Sequence, residues 1–567
     1  MPQHASTLTE TPDVPSRRWW KEAVVYQVYP RSFADSDGDG IGDLPGLISR
    51  LDHITGLGVD VIWLSPHFDS PNADNGYDIR DYRKVMHEFG TMEDFDRLLA
   101  ECSARGLRLI IDLVVNHTSD EHAWFAESRS SRGNPKRDYY IWRDGSDGVP
   151  NNWPSFFGGS AWTKDEPTGD YYLHLFAAKQ PDLNWDNPEV RAEVYDLMRF
   201  WLDKGVAGFR MDVIPFISKD PSFPDLTAEQ LRAPQDVYAN GPRVHDYLQE
   251  MNREVLSRYD VMTVGEAFGV SDRQASLFVA EDRHELNMVF HFDVVRLDRE
   301  GWRRTPWSLP DLKAVYTRLD HAVGGTGWNT VFLGNHDTPR AVSHFGDDSA
   351  PCRVPSAKAL ATMMLAQRGT PFIYQGEELG MTNYPFQSID QFDDVEVKGL
   401  WADWVETGRV EGEELLSHLR HTSRDHARTP MQWTGGRHAG FTTGPNPWFA
   451  IHPNHSEVNA AAALVDEHSV YRHYQRLIAL RRAEPALVYG DYLDLDPAHE
   501  RLFVFSRSLG GDHLLVVVNF SRDPEPFALP AGPEAWRTLL SNDPGRDTGP
   551  LRGDVTLGPW EALILKA

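Results

Sequence analysis

Eight short apolar runs recur between residues 24 and 374: Val24–Tyr29, Val61–Leu64, Leu107–Val115, Phe209–Met211, Val261–Val264, Met288–Phe292, Thr330–Leu333 and Pro371–Tyr374. They are often β-branched and do not alternate with polar residues, the pattern of parallel strands buried on both faces. Amphipathic stretches separate them. In Val190–Lys204, for example, Val190, Val194, Leu197, Met198 and Trp201 share one helical face. Eight strand–helix repeats with right-handed crossovers predict an α/β fold, a (β/α)8 TIM barrel.

Two long stretches interrupt the repeat. Residues 116–181 are rich in Gly, Asn, Ser, Trp and Tyr and are too long for a structureless loop, so they read as an inserted subdomain B beside the barrel mouth. The barrel is then divided into a first part, 1–115, and a second part, 182–488, itself carrying an insertion at about 382–433. Over 489–567 the texture turns to β: Arg501–Ser508 and His513–Phe520 flank Gly510-Gly511-Asp512, which predicts an antiparallel β-sandwich domain.

Charge and composition exclude several functions. The chain has 567 residues, with 56 Lys and Arg against 84 Asp and Glu, a net charge of −28. That surplus repels nucleic acid and anionic membranes, so neither is expected as a partner. No window approaches the ~20 apolar residues of a membrane span, and the N-terminus has no basic region followed by an apolar stretch. Two cysteines, Cys102 and Cys352, build no disulfide framework and suit a reducing compartment. The expectation is a cytoplasmic enzyme, monomer or homodimer, acting on a small molecule. The 18 Trp, 19 Tyr and 27 Phe suit stacking against sugar rings.

The polar residues that close the runs carry the chemistry. The third run leads into Asp112–His117, the fourth ends Gly208-Phe209-Arg210-Met211-Asp212, the fifth Val264-Gly265-Glu266 and the seventh Gly334-Asn335-His336-Asp337. Residues at the C-terminal ends of barrel strands converge on one mouth. A single strand-end Asp serves a helix cap or an ion pair as readily as chemistry. Asp212, Glu266 and Asp337 together, with His117 and His336, point to a site. Paired carboxylates without a nucleophilic Ser or Cys pattern or a phosphate loop suit glycoside chemistry, one attacking the anomeric carbon and one donating a proton. Arg210, on the same side of its strand as Asp212, would keep that carboxylate ionised. Divalent-metal hydrolysis is the runner-up, weakened by the lack of paired histidine ligands. No organic cofactor is expected.

These stretches resemble the four signature segments of the α-amylase superfamily, glycoside hydrolase family 13, and the likeness runs from Tyr26–Phe33 to the C-terminal sheet. Gln180–Trp185 and Ser423–Trp433 resemble its oligo-1,6-glucosidase and sucrose isomerase branch. The resemblance implies Asp212 as nucleophile, Glu266 as acid/base and Asp337 as transition-state stabiliser. It places His117, His336 and Arg210 around the first glucosyl ring, with Asp74 and Arg428 gripping its non-reducing end and Tyr77 as a platform beneath it. Phe157, Phe176 and Gln180 fall in the same pocket by analogy. A clamp at the non-reducing end forces exo-action on short oligosaccharides or disaccharides.

Asp35-Ser36-Asp37-Gly38-Asp39-Gly40-Ile41-Gly42-Asp43 has the oxygen-ligand spacing of a calcium loop, with Asp35, Asp37, Asp39 and Asp43 offering carboxylates and Ile41 its carbonyl. Position twelve is Gly46, so the usual bidentate Glu is missing. The similar glucosidases carry a single-ion loop here, so one structural Ca2+ is expected, with Mg2+ able to substitute.

The branch is read from two opposed signals. Val213 follows the nucleophile; in similar enzymes that cleave α-1,6 links this position is typically Val, whereas α-1,4-preferring enzymes and sucrose isomerases tend to have Thr or Ala. The expectation is therefore an exo-acting retaining α-glucosidase preferring isomaltose, isomalto-oligosaccharides, isomaltulose or trehalulose. Against that, Phe268 and Phe292 resemble the aromatic pair with which sucrose isomerases hold fructose, and Arg296-Leu297-Asp298-Arg299 resembles their product-directing loop. Sucrose isomerisation to isomaltulose or trehalulose is the alternative, with broad α-glucosidase and transglycosylase activity behind it.

Overall fold

The computed structural model describes residues 17–547 and 549–567. The N-terminal residues from which the lack of a leader was read lie outside the described residues.

Each of the eight apolar runs forms a strand of one parallel sheet: β1 Val25–Val28, β2 Val61–Leu64, β3 Arg108–Val114, β4 Gly208–Asp212, β5 Met262–Glu266, β6 Met288–Phe290, β7 Thr330–Val331 and β8 Thr370–Tyr374. Their order is β6-β5-β4-β3-β2-β1-β8-β7, so the sheet curls until its edges meet. The short β7 closes the ring with a side chain: Thr330 Oγ1 donates to the carbonyl of Val289 on β6 at 2.8 Å.

Alternation along each strand sorts the side chains into two sets. Val25, Val61, Trp63, Ile110, Met262, Val264, Met288, Phe290 and Phe372 pack together inside the ring. Tyr26, Ile62, Leu64, Leu109, Ile111, Phe209 and Met211 face the surrounding helices. Both sets are apolar, which explains the unalternating runs. The same period carries Asp112, two residues after Ile110, and Glu266, two after Val264, into the inward set, and Arg210 and Asp212, alternating with the outward Phe209 and Met211, join them.

Between β3 and β4 lie the helix Ala123–Ser130 and a small antiparallel sheet in which Tyr171–Leu173 pairs with Trp142–Arg143 and Trp162–Lys164. This segment is tied to the barrel below Asp182, whose carboxylate meets Lys219 Nζ at 2.6 Å while the same ammonium donates to Asn116 Oδ1 at 2.7 Å. The helix Gly412–Thr422 and its surroundings pack around Phe386, Phe392, Leu415, Leu419 and Phe449 as a separate apolar cluster.

The C-terminal part contains β9 Asp491–Asp494, β10 Leu502–Leu509, β11 Asp512–Asn519, β12 Glu525–Ala528, β13 Arg537–Ser541, β14 Asp554–Leu557 and β15 Ala562–Lys566. An antiparallel sheet, β9-β10-β11-β15-β13, faces the β12–β14 pair across Leu502, Val504, Val517, Leu557 and Leu563. Its other face, with Phe503, Phe505 and Val516, joins the barrel's outer core. The buried guanidiniums of Arg481 and Arg507 sit at the C-terminal end of the helix Arg353–Leu365, and among the described residues neither forms an ion pair. Arg481 Nη1 donates to the carbonyls of Leu365 and Gln367 at 2.7 and 2.9 Å, and Arg507 Nη1 to that of Ala366 at 2.6 Å. A cation at the negative end of a helix is favourably placed.

His67, just beyond β2, is buried between the rings of Phe95 (4.7 Å, stacked) and Trp201 (5.3 Å), and among the described residues neither ring nitrogen has a partner. Burial pushes its pKa down to about 3, so the folded chain refuses a proton that the unfolded chain accepts below about 6.5. Its stabilising contribution is complete above pH 6.5 and is lost as pH falls toward 3. His67→Phe should therefore gain on the wild type by up to about 3 kcal/mol as pH drops from 6.5 to 4. Urea midpoints of both proteins across that window measure this; a constant difference would refute it.

Candidate active site

The strand ends bring Asp112, Arg210, Asp212, Glu266, His336 and Asp337 to one pocket. Register makes Asp112 the neighbour of Arg210, and Val114 the neighbour of Asp212. Arg210 Nη1 donates to Asp112 Oδ1 at 2.7 Å and to Asp212 Oδ1 at 2.6 Å, while its Nη2 binds Glu266 Oε2. Trp63 Nε1 holds the second oxygen of Asp112 at 2.6 Å from within the barrel. One guanidinium thus serves three carboxylates.

Burial pushes the Asp212 carboxyl well above the usual range; Arg210 opposes this, and the Glu266 and Asp112 charges add to it. Arg210 acts on Asp212 in the direction the sequence suggested, yet burial outweighs it. Burial likewise lifts Asp112 to about 6 despite Arg210. Burial also acts on Asp337, but His336 and the guanidiniums of Arg424 and Arg428 hold that carboxyl far below the ordinary carboxylate range. The site therefore sets Asp337, held ionised, against Asp212 and Asp112, whose carboxyls burial pushes up despite Arg210.

His336 is neutral, its pKa driven to about 3 by burial. Its Nδ1 meets the Gln27 amide at 2.8 Å and its Nε2 meets Tyr77 Oη at 2.7 Å. The Tyr77 ring lies parallel to the imidazole at 5.3 Å. His117, lowered to about 4 by burial, meets the Tyr77 carbonyl at 3.1 Å and the Gln180 amide at 3.2 Å. Gln180 also donates to Asp74 Oδ2 at 3.2 Å.

At the blind end a second arginine stands beside the expected Asp74 and Arg428. Arg424 lies 3.8 Å from Asp74, whereas Arg428 bonds Asp337 Oδ1 at 2.7 Å and approaches Asp394 at 3.5 Å; among the described residues no Asp74–Arg428 ion pair forms. Arg424 also reaches Asp337 at 3.3 Å and binds the buried Asp394 carboxylate. Burial lifts Asp74 to about 7 against the pull of Arg424 and Arg428. The two arginines stand four residues apart in the Ser423–Trp433 stretch, and that spacing was the available signal for Arg424. Asp394 comes from the 382–433 insertion, where no periodicity marked it.

The opposite wall is aromatic. Phe156, Phe157, Phe176, Phe268 and Phe292 line the cavity, of about 370 Å³, with Phe268 and Phe292 5.1 Å apart and Phe157 5.7 Å from Phe176. Val213 projects into it from a strained backbone with φ 34° and ψ 39°, a left-handed conformation rare for a β-branched residue. That turn aims the Val213 amide at Glu266 Oε2, 3.2 Å away. Arg296, Arg299, Trp302, Glu396 and Trp404 complete the wall.

In the loop after β1, Asp35, Asp37 and Asp39 bring carboxylate oxygens within 4.8 Å of one another. Asp43 stands apart from that group. Its oxygens accept from Gly46 N at 2.6 Å and from Ser36 N and Oγ at 2.9 Å, capping the helix Leu44–Ser49.

Inward carboxylates at the strand ends of a parallel barrel, around a blind pocket, are the equipment of a glycoside hydrolase. Residues 27–490 match the family described as "Alpha amylase, catalytic domain", and residues 491–564 a "Domain of unknown function (DUF3459)". The chain belongs to the α-amylase family. It is 52% identical to an oligo-1,6-glucosidase of Parageobacillus thermoglucosidasius, over 97% of this chain and 99% of that one. It is 54% identical to the oligo-1,6-glucosidase of Halalkalibacterium halodurans, with the same 97% and 99% coverage. An isomaltulose synthase mutant from Erwinia rhapontici NX5, solved with sucrose, shares 54% identity at a TM-score of 0.95, over 97% of this chain and 99% of that one.

Arg424→Met should leave the buried Asp394 charge with Arg428 as its remaining cation and cost about 3 kcal/mol of stability. Adding Asp394→Leu should restore most of that loss in urea unfolding. Additive losses would show that the pair is not coupled.

Proposed function

We propose that this protein is a retaining, exo-acting α-glucosidase that hydrolyses short α-1,6-linked glucosides. Val213 carries the reading. It follows Asp212 directly and presents only methyl groups beside Glu266, so it shapes the leaving-group side sterically rather than through a hydroxyl. The oligo-1,6-glucosidases among its relatives support the same choice.

In this mechanism the terminal glucosyl ring enters the blind end, its hydroxyls meeting Asp337, Asp74 and Arg428, with Arg424 behind them. Arg210 orients Asp212 and Glu266. Asp212 attacks C1 while protonated Glu266 gives its proton to the glycosidic oxygen, which leaves with the aglycone. Glu266, now a carboxylate, takes a proton from water. That water attacks C1, breaks the ester to Asp212 and releases glucose with its α configuration retained. His117, His336, Gln180 and Tyr77 position the ring.

One observation favours the second reading, sucrose isomerisation. Phe268 and Phe292 form a pair roofed by Arg296, whose guanidinium lies 4.4 Å from the Phe268 ring, a surface suited to retaining fructose beside the glucosyl enzyme. Product analysis separates the two. Wild type should release glucose from isomaltose and isomaltulose, and Val213→Thr should shift the isomaltose-to-maltose ratio several-fold toward maltose. Isomaltulose or trehalulose accumulating from sucrose would favour the isomerase, and an unchanged ratio would remove Val213 as the determinant.

Among the described residues no helix is long and apolar enough to cross a membrane, and a cytoplasmic setting accords with two unpaired cysteines. The loop after β1 suits one Ca2+, or Mg2+, held by Asp35, Asp37, Asp39 and the Ile41 carbonyl, with Asp43 bracing the loop as a cap. Burial and the neighbouring Asp37 and Asp35 charges push the Asp39 carboxyl up, a repulsion that a cation relieves. Removing the ion with EDTA should lower the thermal midpoint by several degrees, and Ca2+ should restore it. A midpoint indifferent to both would refute the ion.

A further inference from the structure

The pocket runs from a buried end to a half-exposed rim. Asp74, His117, Asp212 and Glu266 are buried, while Arg296, Gly301, Trp302 and Trp404 at the other end meet solvent. In the reading above the blind end takes the terminal ring, and Phe268, Phe292 and Arg296, which line the same cavity, stand on the leaving-group side. A third ring then extends toward the rim.

That rim is built by two unusual pieces of backbone. Arg299–Glu300 and Arg303–Arg304 form a tight hairpin, with Arg299 opposite Arg304, so Gly301 and Trp302 are the two turn residues and Trp302 is presented at the tip. Gly301 has the positive φ, 58°, that such a turn requires. Trp404 sits in one turn of π-helix, Trp401–Glu406, a rare conformation that recurs at functional sites. The turn is pressed against the loop after Ser155. A Cβ on Gly399 would stand 2.3 Å from the Phe157 carbonyl, and one on Gly158 would stand 2.6 Å from Asp403 Oδ2. The indoles of Trp302 and Trp404 meet at 5.6 Å and 63°, half-exposed on the cavity wall. Trp302 packs by one side against the apolar cluster around Phe386 and Leu415, and its ring meets His418 at 5.3 Å; Trp404 stands outside that cluster, so an apolar core does not account for it.

Large aromatic faces beside exposed guanidinium donors are the chemistry that binds a sugar, whose C–H face stacks and whose hydroxyls accept. We propose that Trp302 and Trp404 form a stacking platform for the third ring of an α-1,6-linked oligosaccharide, counted from the non-reducing end. It rests on the α-1,6-glucosidase reading above. The substrates it favours are trisaccharides and longer chains of the isomaltotriose type, and the platform adds affinity on the leaving-group side without touching the reacting atoms.

The test is the ratio of kcat/KM for isomaltotriose to that for isomaltose, in wild type, Trp302→Ala, Trp404→Ala and Trp404→Phe. Losing one stacking face should lower the ratio about threefold to tenfold in the alanine variants, and Trp404→Phe should retain most of it. A ratio unchanged in both alanine variants overturns the platform. If wild type cleaves maltose but not isomaltose, the α-1,6 reading fails by itself. The same variants with maltotriose and maltose then decide the platform, a lowered ratio supporting it and an unchanged one overturning it. Circular dichroism and thermal midpoints confirm that each variant is folded.

Discussion

Arg210 organises the site. Its guanidinium sits at the mouth of the barrel, donating to Asp112, Asp212 and Glu266 from three successive strands. Three carboxylates in a water-poor pocket repel one another and lose hydration, each costing several kcal/mol if left uncompensated. The arginine makes their coexistence possible and fixes where they point. Its own position follows from the period of β4: Phe209 and Met211 face the helices, so Arg210 and Asp212 must face inward. A one-residue slip of that strand would turn both outward.

Around this centre the polar groups divide by environment. Two arginines on the Ser423–Trp433 stretch keep Asp337 ionised, while burial keeps His336 and His117 neutral. The pocket thus presents a fixed anion for hydroxyls at its blind end, and beside Arg210 the carboxyls of Asp212 and Asp112, which burial pushes up. The aromatic wall and the strained Val213 turn then determine which leaving group fits.

Much of this was legible in the order of residues. Strands buried on both faces cannot alternate polar and apolar side chains, so they appeared as eight apolar runs. Polar residues abruptly closing those runs, such as Asp212 and Glu266, marked the barrel mouth. Other contributions had no such signature. Asp394, Trp302 and Trp404 come from irregular segments whose neighbours are distant in sequence. Arg424 was hidden beside Arg428, and chain order does not say which of two arginines will face Asp74. Asp43 fitted a ligand spacing, yet a helix starts immediately after it and its carboxylate caps that helix.

The sequence by itself determined the barrel, the family and the inward carboxylates, because strand period and apolar burial are local properties that survive any detail of packing. Only the tertiary structure decided which arginine serves which acid, how Val213 is strained to face the pocket, and how Trp302 and Trp404 meet at its rim. Those outcomes depend on segments far apart in the chain, where a shift of an ångström or two changes a partner and leaves no trace in the spacing of residues.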